Sequence, residues 1–118
     1  MPLEHLNTQE LFETLWFHKE SEPLKGQRAG DLGWLQYHTA KWCGPCQRLD
    51  VEAVVQAAEA AGLTVWKIDV DVNDYTSGYC GVRSIPTWQF CRPRNIVATV
   101  QESNTQKVVD WIGGLPGR

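Results

Sequence analysis

The spacing of hydrophobic positions changes several times along the chain, and each change predicts an element. Leu11, Phe12, Leu15 and Trp16 recur at helical spacing behind Asn7, Thr8, Gln9 and Glu10, where a capping residue is followed three positions on by Glu. A helix ending near His18 is expected. From Lys19 to Gly33 the periodicity gives way to Ser21, Pro23, Gly26, Gly30 and Asp31 among charged neighbours, the chemistry of a surface loop. Trp34 to Thr39 is rich in aromatic and branched side chains and reads as a strand leading into Trp42.

Beyond Pro45, Leu49, Ala53, Ala57 and Ala60 share one side of a helical projection and Val51, Val54, Val55 and Ala58 another. One helix from Cys46 to Ala61 is expected, packed on a sheet, wetted on a narrow face by Asp50, Gln56 and Glu59, and stopped by Gly62. Leu63 to Asp69 reads as a buried strand, so strand, helix and strand form a right-handed parallel crossover. A short helix over Asn73 to Tyr79 follows. Thr87 to Cys91 and Ile96 to Val100 are β-prone runs separated by Arg92, Pro93, Arg94 and Asn95, a solvated hairpin turn. Ser103 and Gln106 have capping-box spacing, Val108, Trp111 and Ile112 share a helical face, and Gly113 marks the stop. There are no internal repeats.

Composition narrows the class. With 118 residues, 42% hydrophobic and 21% charged, the chain fits one globular α/β domain over residues 1–118. Eleven basic residues against fourteen acidic ones give a net charge of −3, and the basic ones are scattered, so no footprint for nucleic acid or anionic lipid is expected. Met1 to Leu15 carries Glu4, Glu10 and Glu13 and lacks the basic and apolar runs of an export signal, which points to a cytoplasmic setting. No window approaches a membrane span, because Glu52 and Glu59 interrupt the most apolar stretch. Four cysteines are too few for a disulfide-knotted miniprotein of this length, so their placement carries the information.

Two of them, in Trp42-Cys43-Gly44-Pro45-Cys46, sit where the predicted strand ends and the helix begins. One helical turn brings both sulfurs within bonding reach, as a thiol–disulfide site requires. Cys43 at an exposed helix start would face unpaired N–H groups and the positive end of the helix dipole, which favours the thiolate. Cys46, one turn in, would be shielded and less acidic. Pro45 loses no helical bond in the first turn and stiffens the loop. The competing reading is half of a zinc site completed by Cys80 and Cys91. Those two stand eleven residues apart rather than as a second close pair, so they read better as packed residues and no metal is expected.

The Trp42 to Cys46 motif, Lys67-Ile68-Asp69-Val70-Asp71 and Arg83-Ser84-Ile85-Pro86-Thr87 together resemble the thioredoxin family in order and spacing, over nearly the whole chain. The resemblance implies a central mixed sheet of four or five strands flanked by about four helices. It also implies a protein disulfide reductase acting in electron transport and cell redox homeostasis. Cys43 would be the nucleophile and Cys46 the resolving cysteine, with Gly44 and Pro45 between them. Pro86 would be a cis-proline beside the dithiol, and the Ile85 backbone would pair with an extended client chain. Trp42 would shield the mixed disulfide and offer a docking face. Disulfide-containing proteins would be the clients of a monomer, a thioredoxin reductase the electron donor, and no bound cofactor is implied. Cys80 falls where some relatives carry a regulatory cysteine.

Two departures qualify the pattern. Tyr37 stands six residues before Cys43, where the family places a buried aspartate that assists the second cysteine, and Lys67 matches the lysine beside it. A phenol, with an ordinary pKa near about 10, is a poor base at neutral pH, so Cys46 would need water, His38 or another group to take its proton. His38 should point to the opposite sheet face from Tyr37. Val100-Gln101-Glu102 replaces a glycine expected before the last helix, which would reshape the groove and restrict the clients. The alternative function is therefore a thioredoxin-like interaction module with restricted partners and weak redox activity.

Overall fold

The computed structural model describes residues 3–17 and 33–115. Ten elements are formed there: β1 (Leu3–His5), α1 (Gln9–Trp16), β2 (Trp34–Thr39), α2 (Gly44–Gln47), α3 (Val51–Ala60), β3 (Val65–Asp69), α4 (Asp74–Tyr79), β4 (Thr87–Arg92), β5 (Asn95–Gln101) and α5 (Thr105–Gly113). The expected end of the first helix at His18 and nearly all of the loop from Lys19 to Gly33 lie outside the described residues. Among those residues no helix is long and apolar enough to cross a membrane.

The strands form one mixed sheet in the order β1-β3-β2-β4-β5. β3 runs parallel to both β1 and β2, whereas β4 is antiparallel to β2 and β5. All six residues of β2 are buried, because both sheet faces are covered. On one face Leu35, Tyr37, Val65, Trp88 and Phe90 pack with apolar residues of α3 and α5. On the other, Trp34, Trp66, Ile68 and Cys91 pack with Phe12, Leu15 and Trp16 of α1.

The mixed sheet, the parallel pairing of β2 with β3, the short helix α4 and the pairing of β4 with β5 stand as the sequence predicts. Four details differ. The helix expected from Cys46 to Ala61 is interrupted at residues 48–50, giving five helices where about four were expected. The break has a local cause: the exposed Asp50 side chain accepts the Ala53 N–H at 3.2 Å, starting α3 as a separate capped helix. The first and last helices are capped by Thr8 and Asn104, each accepting an N–H three residues on, rather than by capping boxes at Asn7–Glu10 and Ser103–Gln106. β1 was not expected. Its three residues are too few for a legible period, and it exists because β3 offers an open ladder that continues as the Leu6 N–H donates to the Lys67 carbonyl at 2.8 Å. The hairpin closes with two residues, Pro93 and Arg94, and its bend places Arg94 at φ 62°.

Two glycines are required where they stand. Gly62 at φ 78° lets α3 end as its own N–H donates to the Glu59 carbonyl and the Leu63 N–H to Ala58, which turns the chain straight into β3. Gly33 at φ 90° enters β2 so near β4 that a Cβ would lie 2.5 Å from the Cys91 carbonyl oxygen.

Candidate active site

Every parallel strand ends at the same edge of the sheet, and the segment before β4 returns to it. Four pieces of chain therefore meet: the turn after β2, helix α2, residues 69–71 at the end of β3 and just beyond it, and Ile85–Pro86 before β4. Val70 N–H donates to the Thr39 carbonyl at 2.9 Å and Thr87 Oγ1–H to the Ser84 carbonyl at 2.6 Å, fastening two of these connections.

Cys43 and Cys46 are joined as a disulfide, with Cα atoms 5.3 Å apart. Cys43 caps the single turn of α2, and its Sγ accepts the Cys46 N–H at 3.2 Å. That donor favours a thiolate at Cys43 once the disulfide opens. Because α2 has only four residues, the nearby N–H supplies this effect rather than the long helix the sequence suggested. The expected contrast in exposure is also absent: Cys43 is 3% and Cys46 5% exposed, both covered by Ala40, Val70 and Ile85. Gly44 and Pro45 are exposed, and nothing lies within 4 Å of a Cβ built on Gly44, so the rim of the loop is open.

Trp42 is 67% exposed, and its Nε1–H donates to Asp71 Oδ2 at 2.8 Å. The hydrogen bond holds the indole beside the disulfide instead of letting it fold into the core. The Ile85–Pro86 bond is cis, as the resemblance implies, and the Ile85 carbonyl oxygen lies 3.8 Å from Cys43 Sγ. Between Trp42 and Ile85 opens a groove of about 510 Å³, lined also by Val70, Ser77, Val82 and Ser84. Gln101, in the stretch that replaces the expected glycine, pairs in register with Thr87 immediately beyond Pro86.

The residues proposed for proton transfer separate. Tyr37 and Lys67 are register partners on β2 and β3 and line one cavity together with Cys46. The Tyr37 ring stacks on Trp88 at 4.1 Å, and burial raises its pKa above the ordinary 10.0 despite a hydrogen bond with Thr39. His38 is on the opposite face, with Nδ1 2.9 Å from Ser77 Oγ and Nε2 2.8 Å from Gln89 Oε1. Burial drives its pKa down to about 4, with the Gln89 bond opposing, so it is a neutral structural imidazole and not a base for Cys46.

Cys80 and Cys91 are free and buried. Burial raises both thiol pKa values, in Cys80 against the opposing hydrogen bond that Gln36 Nε2–H donates to its Sγ at 3.4 Å, so both are packed and poorly suited to exchange. Among the described residues no three His, Cys, Asp or Glu side chains cluster as metal ligands. The sequence reading missed Asp71 as the partner of Trp42 and Asp69 as a wall of the cavity below Cys46. Their signal was the alternation of Lys67, Asp69 and Asp71, which puts all three on one side of a strand and its continuation.

A family model described as thioredoxin matches residues 29–113. The chain belongs to the thioredoxin family. It is 40% identical over 62 residues to a thioredoxin of Geodia cydonium, covering 52% of this chain and 58% of that protein. It is 37% identical over 76 residues to a thioredoxin of Rhodospirillum rubrum, covering 62% of this chain and 72% of the other. The fold is shared with the thioredoxin of Malassezia sympodialis, with a TM-score of 0.74 at 19% identity over 94% of this chain and 88% of that one.

Proposed function

We propose that this thioredoxin-family protein is a protein disulfide reductase. The observation that carries the reading is the Cys43–Cys46 disulfide with the Cys46 N–H on Cys43 Sγ, placed at the mouth of a groove between Trp42 and the cis Ile85–Pro86 bond. In the reduced protein Cys43 thiolate attacks a client disulfide, forming a mixed disulfide and releasing one client sulfur as a thiolate. Cys46 then loses its proton and attacks Cys43 Sγ. The Cys43–Cys46 bond forms, the bond to the client breaks, and the client leaves with both electrons. Ile85 offers backbone to an extended client chain beside Pro86, and Trp42 covers the mixed disulfide.

The donor that reopens Cys43–Cys46 is a thioredoxin reductase, the protein works as a monomer in the cytoplasm, and no cofactor takes part. The family supports the first of these and the acidic composition is compatible with the setting. One observation favours the alternative of a partner-binding module with weak redox activity, namely Tyr37 in place of the usual carboxylate. Insulin reduction driven by dithiothreitol separates the two. The wild type is expected to accelerate precipitation of the insulin B chain and Cys43→Ser with Cys46→Ser to abolish the acceleration; a wild type no faster than the double variant overturns the reductase reading.

A further inference from the structure

Cys46 must lose a proton before it can attack, and the face of the sheet beneath it shows which group can hold one. Tyr37 and Thr39 on β2 are the register partners of Lys67 and Asp69 on β3. Partners in a parallel ladder leave the same face of the sheet, so these four side chains point together toward the layer that contains α2. With Cys46 and Lys41 they line a cavity of about 350 Å³. One water occupies about 30 Å³ of liquid, so solvent fits between the sulfur and the polar walls.

Elimination leaves one acceptor. The Tyr37 phenol is stacked on Trp88 and held in its neutral form by burial. Lys67 and Lys41 carry ammonium groups, which donate and do not accept. Thr39 is a hydroxyl, and Gln47, also on the cavity wall, is an amide whose Nε2–H already donates to the Lys41 carbonyl at 2.8 Å. His38 faces the other way, with both ring nitrogens engaged. Asp69 is the carboxylate among the residues lining the cavity. Its Oδ1 accepts the Asp71 N–H at 2.9 Å, which fixes the group, and its Oδ2 has no hydrogen-bond partner among the described residues.

We propose that Asp69 is the proton acceptor for Cys46, acting through water in this cavity, so that the carboxylate missing from β2 is supplied two residues beyond Lys67 on the neighbouring strand. This rests on the reductase reading. The Cys46 Sγ proton passes through water to Asp69 as the Cys43–Cys46 bond forms and the client thiolate departs. When a donor dithiol reopens the disulfide, Asp69 returns the proton to Cys46. The hydrogen bond from Asp71 N–H keeps the carboxylate oriented.

The test uses dithiobis-nitrobenzoate, which releases one coloured thiolate when Cys43 attacks and a second when Cys46 resolves the mixed disulfide. Asp69→Asn retains an oxygen for the Asp71 N–H, so the fold is preserved. It is expected to leave the first phase unchanged and to slow the second about tenfold or more near pH 7. The second phase should also steepen toward about a tenfold rise per pH unit, because only hydroxide or an already ionised thiol then remains, and Asp69→Glu should recover part of the rate. A second phase unchanged in Asp69→Asn overturns the proposal, as does slowing with an unaltered pH profile. A wild type lacking the first phase instead overturns the reductase reading itself.

Discussion

Strand β2 builds two different interiors from six consecutive residues. On one face, Leu35 and Tyr37 enter an apolar core, and Tyr37 also lines a polar cavity with Lys67, Asp69 and Cys46. On the other, Trp34, Gln36 and His38 begin a buried polar chain: Trp34 Nε1–H donates to Gln36 Oε1 at 3.0 Å, Gln36 Nε2–H to Gln89 Oε1 at 3.3 Å, and Gln89 Nε2–H to the Cys80 carbonyl at 3.1 Å. Because Gln89 Oε1 accepts from both Gln36 and His38, the imidazole donates from Nε2 and accepts a hydrogen bond from the Ser77 hydroxyl at Nδ1. Polarity on the first face is left open for chemistry. On the second, Gln36, His38 and Gln89 are tied to one another and to Ser77 and Cys80, while Trp66 Nε1 and Thr76 Oγ1 are buried without a partner among the described residues. The tied side chains hold β2, β4 and α4 in one arrangement.

The largest effect should come from breaking the first face at its stack. Trp88 is fully buried against Tyr37, and Trp88→Ala leaves a large void, so the loss is expected to be about 3–5 kcal/mol in urea unfolding. A loss below about 1 kcal/mol would show that the stack does not anchor the face, since even modest core truncations exceed that.

Acid should break the second face next. His38 is neutral when folded, with a pKa lowered to about 4, whereas an unfolded histidine titrates near 6.5. Between these values the unfolded chain binds more protons, so stability rises with pH across the window. The contribution is fully present above about pH 6.5 and falls by up to ~3 kcal/mol as pH drops through 4. Unfolding midpoints measured from pH 4 to 7 should show this slope, and His38→Gln should flatten it; an equal slope in the variant would assign the acid sensitivity elsewhere.

Both faces were unequally legible in the sequence. The strand itself, the Gly62 stop and the Cys43–Cys46 pair depend on neighbours within a few residues, and local pattern suffices for them. Alternation likewise places His38 opposite Tyr37. What pattern alone does not contain is register: Tyr37 meets Lys67, and Gln36 meets Gln89, across 30 and 53 intervening steps fixed by sheet pairing. Asp69 therefore lay unread in a quoted motif, although its two-residue spacing from Lys67 was visible. The helix break at residues 48–50 was hidden for a different reason. Apolar periodicity runs through it unaltered, and only the cap formed by the Asp50 side chain interrupts the ladder.

Moving a carboxylate back to β2 probes how freely the first face can supply its proton acceptor. Tyr37→Asp puts a carboxylate opposite Lys67 on the wall it shares with Cys46. In an Asp69→Asn background it is expected to restore the second phase of dithiobis-nitrobenzoate reduction about tenfold, equivalent to about 1.4 kcal/mol. No recovery in a folded double variant would mean that the cavity does not carry protons to Cys46.

The smallest effect belongs at the rim, where both faces end and the groove begins. Trp42→Phe keeps an apolar ring over the disulfide but removes the Nε1–H bond to Asp71 Oδ2. The bond is exposed, and a hydrogen bond to a charged group contributes about 1.5–3 kcal/mol when buried and less when wet. A rise of about threefold in KM for insulin is expected, with the second phase of dithiobis-nitrobenzoate reduction unchanged, because Asp71 still donates its backbone N–H to Asp69 when its side chain is released. If the second phase slowed as well, the Asp71 turn would be transmitting the position of Trp42 to Asp69. The rim and the cavity would then be one unit, and the separation between client docking and proton transfer would fail.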